Sequence, residues 1–510
     1  MRAIRQRTSQ LGGWAILRAL SWCCRWWAVF LLLFALALVA WSVVTRATQQ
    51  SVATELAAIK ARGEPLTIAE LAPRVPAGAT NAADSYDLAF GSLPPDVEGQ
   101  LDRLMGDPAF ARGFCADYAA VFELLREAGG ADVCAIARDW NASFYTLTFP
   151  EYAKMRTAAR MLVVRSNLLA GEGKGDAALD DIRTAFTLGV HVQSDPTMIS
   201  SLVGVAIFGM GFAALEGCLA KSDPSPAACR KLFDQLGSAD MRTPFQRAVL
   251  GERAWGIQLF DDVRGGRVSI ADLVAAGTDA QPTPASRTLF AVHRSIGIPW
   301  LNLDELGYLE RMDGTIKAVA LPWPKSHQEL ESLDRAEIGG LITALLLPGL
   351  ERANYSVNQA AARIAVARTA VAIKAYRAER GRYPRSLDEV KAAGWPVPDD
   401  PLNGKPLHYR HTSNTFTVWS VGPNMKDDNA TEWDSKTMDT YTGAYDITLI
   451  CDLSRAKRKD AEHLNAWKSA QEAAEQDRIE AERRSRSPRS FRDGRWGAGR
   501  GRAYSPARSQ

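Results

Sequence analysis

The sequence predicts an α+β protein, with an N-terminal transmembrane helix, a mostly α-helical central domain, a small α+β C-terminal domain and a disordered tail. Three observations predict it. Trp26 to Val44 is an uncharged apolar run. Apolar residues then recur at helical spacing through most of 81–337, with few strand-like runs. Between about 400 and 420, turn residues alternate with β-type residues. The boundaries that follow are a basic N-terminus at 1–25, the span at 26–45 and a stalk at 46–80. A helical domain at 81–337 and the C-terminal domain at 338–451 come next, then a charged helix at 452–485 and the tail at 486–510. A chain of 510 residues has room for two or three domains, and a net charge of +3 implies no partner by itself.

The apolar run WWAVFLLLFALALVAWSVV holds 19 residues with one hydroxyl, Ser42. As a helix it is roughly 28 Å long, which matches a hydrocarbon core of about 30 Å. Trp26, Trp27 and Trp41 stand near its ends, where amphipathic rings favour the interface. A cleavable signal peptide would carry a shorter apolar run, so an uncleaved anchor is the reading, with Ala35-Leu36-Ala37 as a mimic of a cleavage site. Arg2, Arg5, Arg7, Arg18 and Arg25 precede the run, against Arg46, Lys60 and Arg62 after it. This asymmetry places the N-terminus in the cytoplasm and the bulk on the exoplasmic (periplasmic) side of the inner membrane, as a single-pass protein.

The 46–80 segment begins as a helix and becomes proline-rich at Pro65, Pro73 and Pro76, the composition of a stalk. Within the helical domain the clearest unit runs from Glu151 to Val192. Tyr152, Met155, Ala159, Leu162 and Leu169 keep a helical period, Gly171 to Gly175 break it, and Asp176 is the expected N-cap of a second helix. The pair resembles one tetratricopeptide-like hairpin, but in a single copy where a solenoid needs about three, so an ordinary antiparallel helix pair is the favoured reading. Thr197–Leu215 is again uncharged and long enough to span. Its glycines and serines, and Asp195-Pro196 as its cap, favour a buried core helix, while a second span stays open. Trp255, Trp300 and Trp323 read as packing residues, and His191, His293 and His327 as structural histidines without metal-ligand spacing.

Of seven cysteines, Cys115 and Cys134 could pair, as could Cys218 and Cys229, in an oxidising compartment; buried free thiols are the alternative. Cys23 and Cys24 lie at the membrane edge, where acylation is chemically open, and Cys451 has no evident partner. The absence of a CxxC motif leaves zinc ribbons and thioredoxin-like chemistry without support.

From Ile338 the chain reads IGGLITALLLPGLERANYSVNQAAARIAVARTAVAIKAYRAERGRYPRSLDEV. Ile364, Ala367, Val371 and Tyr376 form an apolar stripe, with Arg363, Arg368, Lys374 and Arg377 directed to solvent. Gly381-Arg382-Tyr383-Pro384 ends the helix, and Ser386 with Glu389 has the form of a capping box. Asp400-Pro401 and Asn403-Gly404 are turns. Leu407 and Tyr409, then Phe416, Val418 and Trp419, are strand residues joined through Thr412-Ser413-Asn414. This order, closed by Ser420-x-Gly422-Pro423 and acidic residues, resembles the globular domain of type II secretion major pseudopilins over roughly 338–450. The chain departs from that family in its start. The apolar piece Ile338–Leu347 is half a membrane span and is followed by Pro348, so the resemblance implies a borrowed module and not a pilus subunit. It also implies a calcium site in the loop after Gly422-Pro423, with Asp427, Asp428 and Asp446 as the expected ligands and loop order as the role. A solvated acidic loop is the plainer alternative.

The 452–485 segment is charged and helix-prone, and 486–510 is rich in Arg, Ser and Gly, a disordered composition. The sequence carries no GxSxG, P-loop or dinucleotide fingerprint, and Asp180-Asp181 and Asp261-Asp262 are adjacent pairs that diverge on a helix. The expectation is therefore a non-enzymatic envelope structural or interaction protein with protein partners, associated with a secretion or pilus-like system. The alternatives are a membrane-attached enzyme of unknown chemistry, or nucleic-acid binding through Phe491, Trp496 and Tyr504 among the tail arginines.

Overall fold

The computed structural model describes residues 2–143, 146–269, 297–335, 340–347, 349–440 and 442–486, with backbone only at 2–21, 23, 24, 474, 475 and 477–486. The Cys23 and Cys24 side chains, the proline- and threonine-rich stretch near 278–286, His293, Ile338, Pro348 and the tail from 487 lie outside this description. What it describes is mostly helical, with one small antiparallel sheet.

Helix α1 runs unbroken from Arg2 to Ala61, because the sequence holds no glycine or proline between Gly13 and Gly63. Its two parts differ in surroundings. Along the apolar run Leu33 and Val39 are each 60% exposed, whereas Thr45, Val52 and Ile59 are buried. The buried face repeats every three or four residues, as one side of a helix must. Residues 46–80, expected as a stalk, are built into the body. Arg62 pairs with Asp313 at 3.1 Å, and Glu64 pairs with the fully buried Arg253. Ile68, in the 3-10 turn Ile68–Leu71, packs in one cluster with Trp140 and Trp255.

A layer of short helices follows: α2 (Ala82–Gly91), α3 (Val97–Gly106), α4 (Pro108–Asp117) and α5 (Ala119–Ala128). Of these, α3 and α4 pack on α6 (Pro150–Gly171), which forms an antiparallel hairpin with α7 (Gly175–Val192), and α5 packs on α2 and α7. The break falls where expected, with Gly173 at φ +76°. Asp176 is not the cap, however. The helix begins one residue before it, and its carboxylate accepts from Ser225 N at 2.6 Å and Ser225 Oγ at 2.7 Å, fastening the start of a later helix.

Helix α8 (Met198–Lys221) is the second helix long and apolar enough to cross a membrane among the described residues. Its N-cap is Thr197, whose hydroxyl accepts from Ser200 N at 3.0 Å, because Asp195 is turned into the interior. It packs on α6 and α7 and carries buried Ser200, Ser201, Phe208, Leu215 and Cys218. Next come α9 (Pro226–Ser238), α10 (Arg242–Arg264), α11 (Ile298–Ala320), α12 (Lys325–Arg335) and the short α13 (Leu341–Leu346).

Helix α14 (Leu350–Arg380) is the long helix of the C-terminal region, and it ends on Gly381 at φ +73°, the left-handed cap expected of that glycine. It is not a surface helix with one apolar stripe. It packs against α8, α9, α10, α12 and the sheet, so nearly its whole circumference is buried. Lys374, expected in solvent, is 4% exposed and donates to Leu219 O at 2.7 Å while pairing with Asp223 at 2.8 Å. At α15 (Leu387–Ala392) the capping box does not form. Ser386 makes no cap bond, and the Glu389 carboxylate, the other half of the box, is taken by Tyr376 Oη, Arg382 and Arg385 N.

The sheet has the order β1 (His408–His411), β2 (Phe416–Ser420) and β3 (Ile447–Cys451), both pairs antiparallel, with His411 opposite Phe416 and Ser420 opposite Ile447. One hydrophobic core runs from Ile59 through α7–α12 and α14 to Phe416, Leu449 and Cys451. Regions 81–337 and 338–451 therefore share their interior. Helix α16 (Leu453–Arg486) leaves the sheet and lies along α8 and α3. Expected to be solvated, it docks through Lys459 on Glu216 at 2.6 Å and through Trp467 beside Gly106, where a Cβ would not fit.

Candidate functional site

The acidic loop joins β2 to β3, and its geometry begins at the turn before the sheet. Asp400 is buried, and its carboxylate accepts from Leu402 N, Ser420 Oγ and Val421 N, each at 2.9 Å. Gly422 is required next, because a Cβ there would meet Tyr445 O at 1.5 Å. The loop so launched brings the three expected ligands into one neighbourhood. Asp446 is 3% exposed and accepts from Asp428 N at 3.2 Å and Ala430 N at 2.7 Å. Asp427 accepts from Trp419 Nε1 and Asn429 N, both at 2.9 Å, and faces His408 at 3.3 Å. Asp428 accepts from Asn424 Nδ2 at 2.8 Å.

These partners set the electrostatics. The indole N–H of Trp419 holds the Asp427 carboxyl below its ordinary value. Burial pushes Asp446 up to about 6, against the pull of its two backbone donors. Among the described residues no group of three His, Cys, Asp or Glu side chains is gathered as the ligands of one ion would be. The three carboxylates accept from N–H groups of the loop and from the indole of Trp419, and these bonds order the loop.

The other titratable groups are distributed as internal ties. Arg138, 7% exposed at its side chain, pairs with Glu151 and with Asp195 at 3.1 Å, and Tyr152 Oη donates to Asp195 at 2.7 Å. Arg165 pairs with buried Asp181, and Arg264 with buried Glu305. His191 Nδ1 lies 2.8 Å from Tyr86 Oη, and burial lowers its pKa to about 4. The adjacent aspartates do diverge: Asp181 and Asp262 point inward, while Asp180 and Asp261 meet surface arginines. A groove of about 630 Å³ lies between the 66–68 segment and α10, beside Trp140. In it the Ser143 hydroxyl donates to Asp262 at 2.6 Å, and Arg267 neutralises the same carboxylate at 2.6 Å.

Cys115, Cys134, Cys218, Cys229 and Cys451 are all free thiols, so neither expected disulfide is formed. Burial raises Cys115 and Cys218 to about 11, and Cys134 and Cys229 to about 12, which keeps them protonated. Trp255 and Trp323 are buried as expected, but Trp300 is 60% exposed. Sequence reasoning passed over Glu216 and Arg138, and read Asp400 as a turn residue only. The one signal available was an acidic or basic residue set among apolar neighbours, as Glu216 is in AALEGCLA. No family model, curated protein or solved structure matches the chain.

Proposed function

We infer that this chain is a membrane-anchored interaction protein of the bacterial cell envelope, with one N-terminal span and its body outside the cytoplasmic membrane. The observation that carries this reading is the division of α1. Its apolar run stands exposed, and its last third is part of the core. Side chains such as Leu32, Leu33 and Phe34 each gain about 1.5–3 kcal/mol on leaving water. A bilayer supplies that environment, and the five arginines before the run set the orientation. Helix α8 is then an interior helix, since 44% of its apolar window is already buried by protein, against 6% for α1, and its Glu216 is tied to α16.

The interaction role follows from what the body offers. Its buried charged side chains are ion-paired, as Arg138 and Lys374 are, or held by hydrogen bonds, as Asp400 and Asp446 are. Its C-terminal region has a motif order resembling that of a major pseudopilin globular domain. Protein partners in the envelope, near a secretion or pilus-like machine, suit such a surface. The test is a pair of topology reporters fused after the last residue of the full chain. An exoplasmic signal is expected. A cytoplasmic one would require α8 to cross the membrane and would overturn the reading.

A further inference from the structure

The way α11 lies on α1 fixes which end of the body faces the bilayer. Asn302 Nδ2 donates to Thr48 Oγ1 at 3.0 Å, and further along both helices Arg62 pairs with Asp313 at 3.1 Å. The two helices therefore run parallel. At about 1.5 Å per residue, Ile298 lies level with Val44 and Trp300 with Arg46. Helix α1 is already shielded at that level, where Thr45 is 8% exposed, and one turn above it, where Trp41 is half-buried. The body's upper edge thus overlaps the last turn of the apolar run.

Among the described residues that edge is apolar and exposed. Trp300 is 60% exposed, Leu303 53% and Leu341 49%. Leu341 is brought beside α11 by Asp304, whose carboxylate accepts from Ile342 N at 2.9 Å and Thr343 N at 3.2 Å. Only glycine fits at 340, where a Cβ would meet Asp304 Oδ1 at 1.7 Å. Neither Ile298–Leu303 nor Gly340–Leu347 contains a charge, and the nearest on α1, Arg46, is exposed at the point where a basic side chain meets phosphate.

We propose that Trp300, Leu303 and Leu341 form a collar seated in the headgroup–acyl boundary of the same bilayer that α1 crosses, a proposal that rests on the span reading above. Tryptophan favours this zone, and apolar side chains enter it to a depth of about 5–10 Å. The overlap with Trp41–Val44 is what selects lipid over protein, because a partner covering this edge would itself have to occupy the headgroup layer. The body is then held against the membrane at a fixed tilt and rotation, not suspended from a flexible leash.

The test is photocrosslinking of the full chain in nanodiscs of phosphatidylethanolamine and phosphatidylglycerol, with benzoylphenylalanine placed singly at Phe34, Trp300, Leu303, Leu341 or Lys317. Lys317 is exposed on the same helix, about 26 Å from Trp300. A mass gain of one phospholipid is expected at 34, 300, 303 and 341, and none at 317. Lipid adducts at 34 alone would overturn the collar while leaving the span intact. Protein adducts at 300 or 341 would overturn it in favour of a partner surface. No lipid adduct at 34 would overturn the span and the collar together.

Discussion

Arg138 shows how single residues hold this body together. Its guanidinium lies 4.4 Å from the Phe149 ring and holds two carboxylates that are themselves shielded from water. Arg138→Ala leaves Glu151 and Asp195 facing each other without a counter-charge, so a loss of about 3–5 kcal/mol is expected in urea unfolding. His191 acts through its pKa. Burial depresses it from the ordinary 6.5 to about 4, so below pH 6.5 the unfolded chain takes up a proton that the folded chain refuses. Stability is therefore lost between pH 6.5 and 4, and His191→Gln should flatten that part of a melting-temperature profile. Asp446 makes the third case. Both of its oxygens accept backbone N–H bonds, so Asp446→Ala is expected to cost about 1–3 kcal/mol, equally in chelator and in excess calcium. A calcium-dependent rise in melting temperature, abolished by Asp427→Ala with Asp428→Ala, would make the loop a cation site instead.

At the scale of elements, Glu216 joins three of them. From α8 it accepts from Lys459 and Arg455 of α16 and from Ile450 N of β3. Glu216→Ala should release the start of α16 first, read as faster amide exchange over 453–473 with the exchange of α6 and α7 unchanged. Which elements were legible in the sequence follows from the range of the forces that make them. The apolar run of α1, the α6–α7 break at Gly173, the cap at Gly381 and the β1–β2 hairpin are decided by neighbours within a few residues, and local pattern finds them. Lys374 reads as solvent-directed for the same reason, since nothing nearby in sequence announces Leu219 O and Asp223. At Ser386 the capping box is absent, and Tyr376 and Arg382 hold Glu389 instead. The acidic loop was legible as a cluster of carboxylates, but not as acceptors for its own backbone, because that depends on how Gly422 lets the chain pass Tyr445. Trp300 looked like core because the exposure of an aromatic is set by which helix ends at the body's edge.

At the scale of the whole molecule the question is whether the C-terminal region is a separate unit, and the core answers through Trp395. This residue, 1% exposed, meets Phe233 of α9 edge-on at 5.2 Å, and Arg230 lies 3.4 Å from its ring. A residue from after the Gly381 turn thus completes the packing of a helix from the central region, and α14 does the same along its length. Truncating a buried tryptophan costs about 3–5 kcal/mol. If the two regions were independent, Trp395→Ala would lower a C-terminal transition and leave a second, helical one in place. With a shared core the cost falls on both, so a single thermal transition is expected in the wild type, shifted as a whole in the variant by circular dichroism at 222 nm. A chain ending at 337 should then fail to fold, because α14 supplies the surface on which α8, α9 and α10 close. Survival of its helical signal with a sharp transition would show that the interior is divisible after all.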